Sequence, residues 1–137
     1  MRVLGIDFGK ARLGIALSDP SQMLASPLPF IKASQSMSQT IDSILKLIKQ
    51  KGPVVKIVVG LPLHLSGHES PMSKLAREFA DQLEIASQIP VIMWDERLTT
   101  AQVEKEMKAG GLSRKKRSQR SDSMSAAVML QSYIDLY

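Results

Sequence analysis

The chain has no cysteine among its 137 residues. This absence excludes disulfide bonds, a thiol nucleophile and a cysteine-ligated zinc site. Aromatic residues make up only 4% of the chain, so no aromatic run of the kind that stacks single-stranded bases is evident. No apolar run approaches the roughly 18 residues that a membrane span needs, and Asp7 interrupts the first apolar stretch, where a signal peptide would be continuous. We therefore expect a cytoplasmic protein that does not associate with membranes.

Apolar residues make up 44% of the chain, which is enough for a hydrophobic core, and the length suits a single domain over residues 1–137. Hydrophobic periodicity predicts strands over 2–8, 13–18, 24–32, 56–60 and 91–94, and helices over 39–51, 71–86, about 99–110 and 122 to the end. The late alternation of strand and helix implies parallel strands, and the early hairpin adds antiparallel ones. The prediction is an α/β domain with a mixed five-stranded sheet flanked by helices.

Two local expectations follow from these patterns. Pro27 and Pro29 each remove a backbone donor, so the strand over 24–32 should lie at an edge of the sheet or be irregular. The helix over 71–86 should bury one apolar stripe, made of Leu75, Ala76, Phe79 and Leu83.

Three acidic residues occupy unusual places in this pattern. Asp7 interrupts a buried strand, Glu96 follows the last strand, and Asp122 opens the last helix. Carboxylates suit Mg²⁺ or Mn²⁺, and a divalent cation relieves the repulsion between converging acids. Asp95 precedes Glu96, but successive side chains of a strand face opposite ways, and we favour Glu96. The pattern therefore suggests a metal site that activates water for phosphodiester hydrolysis.

Each acid also has an ordinary structural interpretation. Asp7 could cap the adjacent turn, Asp122 could be a helix N-cap, and Glu96 could be a surface acid at a strand end. The segment GIDFG also resembles the first phosphate loop of actin-type and sugar-kinase-type proteins. That fold needs a second glycine-rich phosphate motif, and the chain has none.

Basic residues outnumber acidic ones by 18 to 13, giving a net charge of +5. The excess is concentrated in a segment that we predict to be a loop before the last helix, and it consists of Arg114, Lys115, Lys116, Arg117 and Arg120. Such a cluster is typical of a nucleic-acid partner, although a solvated loop has the same composition. Lys10, Arg12 and Arg97 are further candidates for phosphate contacts. A nucleic-acid-binding module without catalysis would keep these contacts and use the acids only as caps.

Four segments together resemble one family. GIDFGKARLGIAL, VVGLPLHLSG, WDERLTT and DSMSAAVMLQSY are similar, in this order, to motifs of the YqgF/RuvX family. Its members are described as Holliday-junction resolvases or as nucleases that process the precursor of 16S ribosomal RNA.

The resemblance implies a ribonuclease-H-like fold, a cytoplasmic location and phosphodiester hydrolysis with Mg²⁺ or Mn²⁺. By motif it assigns catalysis and metal binding to Asp7, Glu96 and Asp122. Structured RNA is the expected partner of a monomer or homodimer, with branched DNA as the alternative substrate.

Overall fold

The computed structural model describes residues 1–9, 11–33, 36–61, 71–95 and 114–136, with backbone alone for Leu61, Asp95 and 114–122. Its strands are β1 (Arg2–Phe8), β2 (Arg12–Ser18), β3 (Ala25–Lys32), β4 (Val54–Leu61) and β5 (Val91–Asp95). Its helices are α1 (Met37–Lys51), α2 (Pro71–Ser87) and α3 (Arg114–Leu136). The helix expected over 99–110 and the histidine-containing loop before α2 lie outside the described residues.

The five strands form one mixed sheet in the order β3-β2-β1-β4-β5. The two hairpins pair β1 with β2 and β2 with β3 in antiparallel fashion, whereas β4 runs parallel to both β1 and β5. Tight turns allow the antiparallel pairs, while α1 and α2 supply the longer connections that parallel strands need. The predicted mixed five-stranded sheet is confirmed.

The sheet is covered on both faces. One face packs against α1 and α2, and its core includes Ile6 and Ile15 of the sheet and Phe79 of α2. The opposite face packs against α3, where Val3 meets Leu130. Neighbouring residues of β1 therefore belong to different cores, as the alternation of side chains along a strand requires.

Helix α3 packs closely on β1 at Gly5, where the strand has no side chain. A Cβ atom on Gly5 would stand 3.0 Å from the Cβ of Leu130 and 3.4 Å from the carbonyl oxygen of Ala126. These distances leave no room for a side chain without moving the helix. Gly5 thus sets the distance between α3 and the central strand.

Strand β3 is an edge strand and is irregular, as its prolines predict. Leu13 pairs with Ile31, and Ile15 pairs with Leu28. One residue of β2, Gly14, therefore lies opposite two residues of β3, Pro29 and Phe30. This two-against-one arrangement is a β-bulge, which bends the strand and interrupts its ladder.

Two expectations about the helices are wrong. The segment 114–120 is not a loop, because α3 begins at Arg114. Its arginine, lysine and glutamine residues are good helix formers, and no glycine or proline separates them from Asp122. Leu75 is 44% exposed, since it lies at the margin of a buried stripe of α2 that is centred between Ala76 and Ala80.

The turn between β2 and β3 is organised by one carboxylate. Asp19 Oδ1 accepts hydrogen bonds from the backbone N–H groups of Leu24 at 2.9 Å and Met23 at 2.7 Å, and Ser21 Oγ donates to Oδ2. The Leu24 bond, followed by those of Ser21 and Met23, lowers the pKa of the Asp19 carboxyl from 3.8 to about 2. The folded state therefore favours the ionised carboxylate.

We expect Asp19→Asn to change the pH dependence of unfolding. Because the folded pKa lies below the unfolded one, the contribution of Asp19 is complete above pH 3.8 and is lost as the pH falls towards about 2. Urea unfolding of both proteins at several pH values measures this contribution. The difference in unfolding free energy should be constant near neutrality and shrink in acid, and a pH-independent difference would contradict the assignment.

Candidate active site at the carboxyl end of β1

Asp7 lies at the end of the central strand between two glycines. It pairs with Gly14 on β2 and with Gly60 on β4. Side chains at such cross-strand positions normally stand about 5 Å apart and touch, but neither neighbour has a side chain. Asp7 itself is half-buried. At this register, therefore, neither paired residue places a side chain beside the Asp7 carboxylate.

Helix α3 approaches Asp7 from above the sheet. Val3 packs against α3 and Gly5 contacts it, so alternation along β1 places Asp7 on the same face. Ser123 of α3 is buried, and its Oγ accepts a hydrogen bond of 3.4 Å from the backbone N–H of Ile15, one register position from Gly14. Asp122 immediately precedes this serine, so its backbone lies in the helix that covers the face of the sheet carrying Asp7.

Gly14, Asp7 and Gly60 form a row of paired residues across the sheet, and strand β5 adds an aromatic residue to this row. Trp94 pairs with Gly60, and its ring packs edge-on against Tyr133 of α3 at a centroid distance of 6.1 Å. Its indole Nε1 is buried, and within the described part of the chain it has no hydrogen-bond partner. A buried donor without an acceptor costs about 1–3 kcal/mol. The ring packs against the core on the α3 side, and its buried polar atom was not anticipated from the sequence.

Among the predicted phosphate contacts, only Arg12 has a described side chain. Its guanidinium lies over the ring of Phe30, 4.9 Å from the centroid. Residues 114–120 are described as helical backbone, and Lys10, Glu96 and Arg97 lie outside the described residues. Strand β5 ends at Asp95, beside Leu61.

The described residues provide one clear candidate ligand for a hard divalent cation. Asp7 fits this role because it offers carboxylate oxygens in a half-buried place with a glycine at both cross-strand positions. No group of three potential ligands occurs among the described residues, which leave out Glu96 and the side chain of Asp122. The three-acid site consequently remains a prediction.

The turn after Asp7 depends on Gly9. A Cβ atom at this position would collide with the backbone carbonyl oxygen of Arg12 across the turn. The obstacle is backbone and cannot rotate away, so a larger residue must displace the start of β2. The close approach of this carbonyl oxygen is the physical reason for a glycine at this position.

We expect Gly9→Ala to destabilise the protein by about 1–3 kcal/mol, the usual cost of overpacking. The displaced turn adjoins Asp7, so nucleic-acid cleavage should fall as well. Chemical denaturation and cleavage assays measure the two effects. Gly5→Ala provides a comparison with a milder close approach, and wild-type stability of Gly9→Ala would contradict the role of the turn.

Comparison with known proteins is consistent with this arrangement. The chain matches the profile of the RuvX family, described as Holliday junction resolvase, over residues 1–136. A relative from Protochlamydia amoebophila, provisionally named a pre-16S rRNA nuclease, is 41% identical over 139 residues, covering 98% of this chain and 93% of its own. A Bacillus thuringiensis relative with the same provisional name is also 41% identical, covering 98% of each chain.

Solved structures share the fold at low sequence identity. The RuvC protein of T. thermophilus, solved with a Holliday junction substrate, superposes with a TM-score of 0.61 at 15% identity, covering 99% of this chain and 94% of its own. The Holliday junction resolvase of fowlpox virus gives 0.59 at 15% identity and covers 99% of both chains. The ribonuclease-H-like fold implied by the sequence resemblance is confirmed. The chain belongs to the RuvX family.

Proposed function

We propose that this protein hydrolyses phosphodiester bonds in the precursor of 16S ribosomal RNA with the help of Mg²⁺ or Mn²⁺. The interpretation as a nuclease is confirmed by the names of its family and relatives. The structural observation that carries the proposal is the position of Asp7, between Gly14 and Gly60 on the face that α3 covers. A half-buried carboxylate with a glycine on each neighbouring strand is suited to bind a cation and a phosphate together.

The metal would be held by Asp7, Glu96 and Asp122. Divalent-metal dependence is typical of this fold, and a bound ion acidifies water and neutralises the leaving oxygen of a phosphodiester. The role of the protein is to present oxygen ligands from elements that are distant in sequence. The hydrogen bond of Ser123 to Ile15 supports this role for Asp122, because it anchors the adjacent turn of α3 to β2.

Glu96 is preferred to Asp95 as the third acid. Trp94 packs on the α3 face, which is also the face of Asp7. Side chains alternate along a strand, so a continued β5 would return to that face at Glu96. Asp95→Asn should therefore retain more cleavage activity than Glu96→Gln, and the reverse order would favour Asp95.

The basic residues at the start of α3 would hold the substrate. Four of them occupy the first turn, which contains no acid. Cations at a helix N-terminus add to the positive end of the helix dipole, so a phosphate backbone would relieve an unfavourable concentration of charge. Lys10, Arg12 and Arg97 are proposed as further phosphate contacts. No helix among the described residues is long and apolar enough to cross a membrane.

Resolution of branched DNA is the second candidate function, because the family is described by that activity. The proposal further includes a single domain over residues 1–137, a cytoplasmic location and a monomeric or homodimeric state.

The deciding experiment is a cleavage assay of the purified protein with end-labelled pre-16S RNA and with a four-way DNA junction. Each substrate is incubated with Mg²⁺, with Mn²⁺ or with a chelator. We expect metal-dependent cleavage of the RNA at discrete positions. Cleavage of the junction alone would favour the second function, and cleavage of neither under any condition would contradict the nuclease assignment.

A further inference from the structure

An exposed aromatic residue lies at the edge of the sheet among basic side chains. Phe30 on β3 is 42% exposed. The Arg12 guanidinium lies 4.9 Å from the centroid of its ring, close enough for a cation–π interaction. Lys32, which is also exposed, pairs with Arg12 across the two strands. We call Arg12, Phe30 and Lys32 the edge platform.

The position of Phe30 is not explained by packing of the described core. Strand β3 contributes Leu28 and Ile31 to the core beneath α1 and α2, and Phe30 belongs to neither described core cluster. Pairing of the edge with another strand is also a poor explanation. Pro27 and Pro29 lack the N–H groups that a strand ladder requires, and such residues commonly protect sheet edges.

The edge platform lies on the same face of the sheet as Asp7. Lys32 pairs with Arg12, which lies two residues before Gly14 and therefore on its face, and the Arg12 contact places Phe30 there too. The β-bulge sets Pro29 and Phe30 opposite Gly14, which itself pairs with Asp7. Phe30 is thus two strands from Asp7, or about 10 Å at the usual strand spacing. Glycine is the only residue between them in this row.

We propose that the edge platform binds an unpaired nucleotide of the substrate RNA close to the cleaved phosphate. Phe30 stacks on the base, while Arg12 and Lys32 interact with the flanking phosphates. At 3.4 Å per stacked nucleotide, 10 Å corresponds to about three nucleotides from the phosphate at Asp7. The location relative to the cleavage position rests on the proposed function, whereas stacking on Phe30 does not.

The chemistry of the edge platform suits a nucleic acid. Base–aromatic stacking tolerates any sequence because every base has a π face. The two cations complement the phosphates, and the arginine holds the ring in place before the RNA arrives.

The test is binding of a short, fluorescein-labelled single-stranded RNA to the intact protein, measured by anisotropy in a chelator so that no cleavage occurs. We expect Phe30→Ala to raise Kd by about fivefold to 150-fold, which is the range for loss of one stacked base. Phe30→Trp should retain wild-type affinity, and Phe30→Leu should behave like alanine. Ile85→Ala provides the matched control, because Ile85 is 73% exposed on α2.

Unchanged affinity of Phe30→Ala, or full rescue by Phe30→Leu, would overturn the proposal. In cleavage assays the alanine variant should raise KM with little change in kcat. An abasic site about three nucleotides from the cleaved bond should weaken binding to the wild type and leave Phe30→Ala unaffected. If Phe30→Ala loses affinity for RNA but the wild type cleaves no substrate, only the nuclease assignment is contradicted. If the wild type cleaves RNA but Phe30→Ala binds RNA with unchanged affinity, only the edge platform is contradicted.

Discussion

Asp7→Asn will abolish metal-dependent cleavage and leave the fold intact. Removal of residues that only orient metal ligands commonly costs 10- to 100-fold in affinity or activity, so loss of a direct ligand should cost more than about a hundredfold. Asparagine preserves the volume of Asp7 and removes a charge from a half-buried position. The unfolding free energy should therefore stay close to that of the wild type.

Metal binding can be measured separately from activity because Trp94 is the only tryptophan. It occupies the same row as Asp7, with Gly60 between them. Mn²⁺ bound at Asp7 should quench the fluorescence of Trp94, and the quenching should saturate as the Mn²⁺ concentration rises. Asp7→Asn should weaken or remove that response. The indole is then a reporter that requires no substrate.

The matched control is Asp42→Asn, which makes the same chemical change on an exposed position of α1. It should leave cleavage and quenching unchanged. Wild-type cleavage by Asp7→Asn would refute the metal-site assignment. Equal losses in both variants would indicate a general effect of charge on substrate binding.

The second large effect concerns the basic start of α3. Replacement of its five basic residues by glutamine should lower the affinity for RNA on the order of a thousandfold at low salt. The plot of log affinity against log salt should become shallower by about 3.5 if each residue contacts one phosphate of a single strand. The substituted residues are Arg114, Lys115, Lys116, Arg117 and Arg120. Filter binding across a salt series measures both quantities.

The fold should tolerate these changes. Glutamine is a good helix former, and removal of four cations from the first turn relieves their repulsion by the helix dipole. The control replaces four exposed lysines on helices at the opposite face of the sheet by glutamine: Lys46, Lys49, Lys51 and Lys74. The same loss of affinity per charge in that control would show that net charge, rather than the start of α3, governs binding.

Several features of the fold could be predicted from local sequence. The apolar run of β1, the helical periodicity of α1 and the prolines of β3 each reflect interactions within a few residues. Helix α1 begins after Ser36, whose Oγ accepts a hydrogen bond of 3.2 Å from the Gln39 N–H. It ends before Gly52, whose N–H donates a hydrogen bond of 2.7 Å to the carbonyl oxygen of Ile48. Such patterns depend only on neighbouring residues, so they can be interpreted without knowledge of the tertiary structure.

The start of α3 was predicted incorrectly for a related reason. Asp122 is a good N-cap residue, and the basic segment before it has the composition of a solvated loop. Helix propensity along residues 114–121 is equally local, and the structure follows it. The charged composition of this segment favours a loop, but its helix propensity outweighs that preference. The exposure of Leu75 has a different cause, because the centre of a buried stripe depends on what the helix packs against.

The sequence by itself determined the five strands, helices α1 and α2 and the helical character of the last segment, and it marked Asp7 as an acid out of place in a core strand. Only the tertiary structure decided what surrounds it: Gly14 and Gly60 on either side, Ser123 anchoring α3, and Phe30 exposed on the same face. Strand register joins residues that are far apart in the chain, and it is set by the packing of whole faces rather than by neighbouring residues. The candidate acids could thus be predicted from the sequence, whereas the glycines on both sides of Asp7 and the edge platform required the assembled sheet.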